Sequence, residues 1–364
     1  MLTFGHLYGI IYTLIKCDER RQKVFGVNVT DYDRKVWEEE LRDFLPDKIV
    51  DCHVHLYCEE MQRWDSEDRK GCVMWPHIVA PDLKIDDMWQ SYSQMFPGKK
   101  VSAVVMGMPS CRLDDVNRYT LECAKRDSLP ALYCTNWDST EEEIRAAMDA
   151  GFVGIKPYLN NSPSYIPENE VRIFDFLTHE HLRVMDELGG IVMLHIPRAL
   201  RLRDPINLAQ MMEIEEKYPR AKVIIAHIGR AYAPEDIGDA FEILKNTKNM
   251  MFDFTANTLT EAMVACIKAV GPRRLMFGSD MPITKMRMYR IVENGKYINV
   301  VPRGAYGDVS NDSHMRETDE TDITTFMYEE LRAFKKCAEE LSLTREDVER
   351  VMWKNAAEYF GMNI

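Results

Sequence analysis

The chain has 364 residues, 46% of them hydrophobic, which is enough for a large core and fits a fold built from repeated βα units as one domain. Its 59 acidic against 46 basic residues leave a formal net charge of -13, which repels phosphate backbones and argues against a nucleic-acid partner. No segment supplies the ~20 unbroken apolar residues of a bilayer span, so no membrane partner is expected.

The opening residues 1–15 are apolar but lack a basic start and a small-residue cleavage site, so they read as a packing helix. A second helix opens at Thr30, with Asp33 three residues on, and stops before Pro46; residues 1–47 are therefore expected as a helical extension. The nine cysteines lack paired metal-type spacing, and Cys52, Cys134 and Cys266 fall inside apolar runs. This fits a reducing, cytoplasmic setting.

From residue 48 onward, short apolar runs alternate with helix-like stretches. The runs are 48–55 (KIVDCHVH), 101–108 (VSAVVMGM), 129–137 (LPALYCTNW), 152–158 (FVGIKPY), 191–197 (IVMLHIP), 222–229 (KVIIAHIG), 250–257 (MMFDFTAN) and 274–282 (RLMFGSDMP). Near-continuous apolarity marks parallel strands buried on both faces. Helices are expected over 140–150, 171–188, 208–218, 234–245 and 261–270, with Thr140 as an N-cap. Eight strands alternating with helices predict an α/β fold, a (β/α)8 TIM barrel over residues 48–364 with long loops after strands 1 and 8. A C-terminal helix opens at Thr344. An open doubly wound sheet would place a Gly-rich phosphate turn after the first strand, where Asp51-Cys52-His53-Val54-His55 stands instead.

Barrel enzymes build their sites at the C-terminal ends of strands. His53, His55, His195, His227 and Asp280 all fall there, on strands one, five, six and eight. Strand alternation places Asp51, His53 and His55 on one side and Cys52 and Val54 on the other, and two imidazoles on one face can converge on a single ion. His179 and His181 lie in an expected helix, where residues two apart diverge; they read as a solvated surface. Lys156, Arg198 and Arg230 follow strand ends and suggest an anionic substrate, while Arg201 and Arg203 read as solvated or paired with Asp204. Tyr158, Asn160 and Trp137 are candidates to line the pocket.

The His-x-His of Asp51-Cys52-His53-Val54-His55, the strand-five His195, the run from Ile224 through His227 to Arg230, and Phe277-Gly278-Ser279-Asp280 together resemble the signature of the amidohydrolase superfamily. The resemblance is to the amidohydrolase-related branch that includes aminocarboxymuconate-semialdehyde decarboxylase, and it covers about residues 48–362. It implies one divalent ion held by His53, His55, His195 and Asp280, with His227 and Asp280 as catalytic residues. Zinc suits these donors, with Mn2+, Fe2+, Co2+ or Ni2+ as alternatives. Lys156 either binds substrate, is carboxylated to bridge two metals, or is structural.

The reading that follows is a metal-dependent hydrolase opening an amide, ester or lactone of a small carboxylated substrate through a metal-activated water, with Lys156, Arg198, Arg230 and Tyr158 as substrate contacts. The alternatives are a non-oxidative decarboxylase using the same ligands and a metal-containing scaffold without catalysis. A homodimer is compatible with the long loops.

Overall fold

The computed structural model describes residues 26–63, 78–79, 81–310 and 312–364. The apolar opening helix expected at 1–15 lies outside the described residues. Eight strands hydrogen-bond in sequence order: β1 (Lys48–Leu56), β2 (Lys100–Gly107), β3 (Ala131–Thr135), β4 (Gly154–Pro157), β5 (Ile191–Leu194), β6 (Lys222–Ile225), β7 (Met251–Asp253) and β8 (Leu275–Met276). Every adjacent pair is parallel. Past β8 the chain returns to β1, where Cys52 N–H donates to Phe277 O at 3.0 Å and Asp280 N–H to His53 O at 2.8 Å. These bonds close the barrel.

The strands read as unbroken apolar runs because both of their faces are covered. Val50, Cys52, Val104, Met106, Leu132, Met193, Ile224 and Met276 fill the interior, together with Ala356, Ala357 and Phe360 of the C-terminal helix. Their neighbours Ile49, Val105, Ile155, Val192 and Ile225 pack outward with the surrounding helices.

Several strands stop sooner than their apolar runs. β6 ends at Ile225, β7 at Asp253 and β8 at Met276. The reason is backbone geometry: His227, Ala256 and Asp280 have φ of 59°, 49° and 60°, which no strand accommodates. Site residues therefore sit on the turns just beyond the strands. The helix expected over 171–188 begins only at His179, because Thr178 takes the N-cap position and accepts from His181 N–H. The 234–245 stretch divides into Pro234–Ile237 and Ala240–Leu244 at Gly238, whose φ is 48°.

Thr30 and Asp33 form the expected capping box on the Asp31–Val36 helix, and Thr344 forms one with Asp347. The excursion after β8, expected as a loop, holds a three-stranded sheet of β9 (Tyr289–Glu293), β10 (Lys296–Pro302) and β11 (Met315–Thr318). β9 and β10 pair antiparallel around Asn294 and Gly295, both with positive φ. Asp33 ties the extension to this excursion: it accepts from Arg287 Nη1 at 3.0 Å and from Thr324 Oγ1 at 2.7 Å.

Candidate metal centre and catalytic pocket

The first strand does not alternate as its sequence suggests. Its register against β2 slips between Asp51 and Val54, which inserts one extra residue. Cys52 joins the interior cluster, and Val54 packs outward. Asp51 turns away from the histidines and accepts from Tyr92 O–H, on the Ile85–Met95 helix, at 2.8 Å. The expectation that Asp51 shares a face with His53 and His55 is corrected by this bulge. Gly278 makes it possible: a Cβ there would stand 2.4 Å from Thr255 Oγ1 and 2.8 Å from His53 Cβ. Asp51 Oδ1 meanwhile accepts from His53 N–H and Ser279 N–H, fixing the bulge against the β8 turn. Burial raises the Asp51 carboxyl to about 6 despite these bonds.

Three imidazoles have one nitrogen committed to a partner that only accepts. His53 Nδ1 donates to Asp253 Oδ2 at 3.1 Å, His55 Nδ1 to Gly107 O at 2.9 Å, and His227 Nδ1 to Thr255 O at 2.8 Å. The Nδ1–H tautomer leaves each Nε2 as an unprotonated lone pair. His55 Nε2 lies 3.2 Å and His53 Nε2 3.7 Å from Asp280 Oδ1. Acceptors this close need a positive centre among them, which a proton or a metal ion supplies. His53, His55 and Asp280 offer donor atoms all within 4.8 Å of one another, so this group could hold a metal.

His195 stands beside the group, its ring 5.0 Å from that of His227 and stacked on Tyr158 at 5.4 Å. Its Nδ1 is buried without a hydrogen-bond partner among the described residues. Lys156 is fully buried, with Nζ 3.2 Å from His53 Nε2, and burial lowers its ammonium to about 8. Burial also holds His53 and His195 well below the ordinary imidazole value, as neutral ligands require. Burial opposes ionisation of Asp280, but a proton shared with His55 and its neighbouring histidines outweighs it and lowers the carboxyl.

His227 reaches the site through an uncommon turn. His227, Ile228, Gly229 and Arg230 all have positive φ, of 59°, 47°, 61° and 61°. A left-handed run costs roughly 1–2 kcal/mol per non-glycine residue, so it persists only where the surroundings fix it. Asp253 Oδ1 accepts from His227 N–H at 2.6 Å, and Asn257 Nδ2 donates to His227 O at 3.3 Å and Ala231 O at 2.9 Å. The turn brings His227 and Arg230 to the same cavity.

That cavity, about 520 Å³, is lined among others by Tyr158, Asn160, His195, His227, Arg230, Asp280 and Arg290. The expected cations part company. Arg230 lines it, with Nη1 donating to Pro197 O at 2.6 Å, whereas Arg198 pairs with Asp204 at 3.3 Å and lies outside the lining, as do Lys156 and Trp137. Arg201 pairs with Asp236 at 2.7 Å, not with Asp204. The second His-x-His also differs from expectation. His179 is half exposed against Tyr218, but His181 is buried, with Nε2 2.8 Å from Ser139 O, because it faces the neighbouring helix cap.

Sequence reasoning missed Asp253 and Arg290. Asp253 stands at the end of an apolar strand, the same signal that singled out the histidines. Arg290 belongs to a hairpin read as a loop, and nothing in its local pattern marks it.

The amidohydrolase family model matches residues 50–362. No curated protein sequence matches the chain. Among solved structures, a probable 2-pyrone-4,6-dicarboxylic acid hydrolase from Acinetobacter baumannii with citric acid bound is 17% identical, with a TM-score of 0.53 over 86% of this chain and 99% of the other. An amidohydrolase from Burkholderia multivorans with bound zinc is 14% identical, with a TM-score of 0.55 over 86% of this chain and 99% of the other. A 2,6-dihydroxybenzoate decarboxylase complexed with 2,6-dihydroxybenzoate is 13% identical, with a TM-score of 0.53 over the same shares. At these identities the likenesses show the (β/α)8 fold. The family match spans nearly the whole barrel, and the chain belongs to the amidohydrolase family of metal-dependent enzymes.

Proposed function

We propose that the chain is a hydrolase that opens an amide, ester or lactone of a small carboxylated compound, using one divalent ion, zinc first, held by His53, His55, His195 and Asp280. The observation that carries this reading is the convergence of two imidazole nitrogens, each with its ring proton committed elsewhere, and a carboxylate within 4.8 Å of one another. When bound, the ion polarises a substrate carbonyl and lowers the pKa of water towards neutrality.

Asp280, beside the ion, accepts the proton that water gives up as it attacks. His227 presents Nε2 and moves a proton to or from the oxygen or nitrogen that leaves; its Nδ1 bond to Thr255 O fixes the ring for that task. Arg230 binds the substrate carboxylate, and Tyr158 lines the wall beside His195. A cavity of about 520 Å³ matches a small ligand.

The test is product analysis on purified, metal-loaded protein with a panel of carboxylated lactones, esters and amides beside aromatic carboxylic acids. Ring-opened or cleaved acids without CO2 are the expected products. Release of CO2 from the aromatic acids without hydrolysis would replace this reading with a carboxy-lyase.

A further inference from the structure

The hairpin inserted after β8 delivers a second guanidinium to the cavity wall. Arg290 on β9 is held as a flat plate: its Cζ lies 4.7 Å from the ring centroids of both Tyr232 and Tyr297 and 4.9 Å from that of Phe326. Nε donates to Asn299 Oδ1 at 2.9 Å and Nη1 to Ala256 O at 3.1 Å. Both acceptors are neutral, and Nη2 has no hydrogen-bond acceptor among the described residues. Arg230 is likewise satisfied only by the carbonyls of Ile196 and Pro197. The third arginine of the cluster, Arg201, stacks on the same two tyrosines but is neutralised by Asp236.

A buried carboxylate does lie near, on Glu330, but it accepts from Ala256 N–H through Oε2, and its Oε1 has no partner among the described residues. Burial pushes that carboxyl well above the usual range, and no hydrogen bond or ion pair joins it to Arg290 among the described residues. Two guanidiniums thus line one small cavity without a carboxylate partner. Partly buried cations are costly to leave unpaired, and a planar guanidinium held by aromatic stacking matches a carboxylate edge to edge.

Tyr232 links the two ends of the cavity. Its ring centroid is 6.4 Å from that of His227 and 4.7 Å from the Arg290 guanidinium carbon, so one aromatic ring separates the acid–base group from this cation.

We infer that Arg290 and Arg230, with Tyr297 and Asn299 of the inserted hairpin, form an anion subsite in the cavity wall, and that the substrate is a dicarboxylate or larger polycarboxylate. One end of the ligand occupies the metal centre and a carboxylate at the other pairs with the guanidiniums. The inference rests on the proposed metal-centred hydrolysis for its first end only; none of the subsite residues is among the proposed metal donors.

The experiment is binding of short α,ω-dicarboxylates (succinate, glutarate, adipate), each against its matched monocarboxylate, to the zinc-loaded protein by calorimetry. At least one dicarboxylate should bind at least ~10-fold tighter than its partner, the scale of a charge-assisted hydrogen bond. Arg290→Gln should remove that advantage and leave the monocarboxylate within about twofold. Asn299→Asp, nearly isosteric, should do the same by supplying Arg290 with an internal counter-ion, which covers the case in which Arg290→Gln fails to fold. Equal binding of each pair to the wild-type protein, or an advantage that survives both variants, would overturn the subsite. Failure of the metal-centre reading looks different: His53→Ala would then leave the affinity of the monocarboxylates unchanged.

Discussion

Asp253 holds two site residues at once, and changing it to Asn tests how the centre is organised. Its Oδ2 accepts from His53 Nδ1, and its Oδ1 from the backbone N–H groups of His227 and, at 3.3 Å, Thr255. An amide of the same shape cannot do both. If its oxygen serves the backbone groups, its NH2 faces His53 Nδ1, forces the proton to Nε2 and removes the lone pair that a metal needs. If it flips, two N–H groups confront each other at the left-handed turn. The first arrangement keeps the turn, so Asp253→Asn should lower metal affinity by about 10- to 100-fold, the usual effect of losing a carboxylate behind a ligand histidine. The flipped arrangement would instead destabilise the fold by about 1–3 kcal/mol, from unsatisfied buried groups. A competitive zinc titration with a fluorescent chelator, paired with a thermal melt of the chelated protein, separates the two costs. Unchanged zinc affinity with an unchanged melting temperature would refute the tautomer argument.

On the proposed role of its Nε2 in moving protons, His227→Ala should stay metal-loaded and lose at least ~100-fold in turnover; loss of the ion would make it a ligand. Gly278→Ala should cost about 1–3 kcal/mol and reduce metal loading, because the new methyl meets Thr255 Oγ1 and His53 Cβ and flattens the β1 bulge; a melt and metal analysis matching wild type would contradict that role. Arg287→Met should destabilise the fold by about 1.5–3 kcal/mol at neutral pH. Burial raises the Asp33 carboxyl, but its bonds to Arg287, Thr30 and Thr324 hold it lower than usual overall. The stabilisation is therefore present above the ordinary carboxylate value of 3.8 and is lost as pH falls through the lower folded value. The gap between the two denaturation curves should close in that acid range, and a gap independent of pH would assign the loss to packing.

Much of this architecture was legible in the chain because the barrel strands are apolar runs that alternate with helices, several of them opened by a capping residue. Thr30, Thr140 and Thr344 announce their helices, and the capping boxes they form are purely local. The histidines and Asp280 were legible for a different reason: polar residues that end apolar runs have few places to go but the barrel mouth. What remained hidden depends on contacts distant in sequence. The β1 bulge comes from the close approach that Gly278 permits, 225 residues beyond His53 in number, and no window around His53 contains it. The left-handed turn at His227 is held by Asp253 and Asn257 from the next strand's end. Arg198 and Arg230 follow their histidines at equal spacing, yet Asp204 captures the first and leaves the second to the cavity. The inserted sheet did carry one readable sign, Asn294-Gly295 between two alternating runs, which is the strongest short-range hairpin signal.

His53, His55, His195 and Asp280 are proposed to converge on a single ion that the reaction requires. Elemental analysis of the purified protein and of His55→Ala, with turnover measured on the same samples before and after chelation and zinc return, tests it directly. About one divalent ion per chain is predicted, lost in His55→Ala along with turnover, and turnover in the wild-type protein should vanish on chelation and return with zinc. Two tightly held ions would instead indicate a carboxylated Lys156 bridging them, and turnover that survives complete removal of metal would contradict the claim outright.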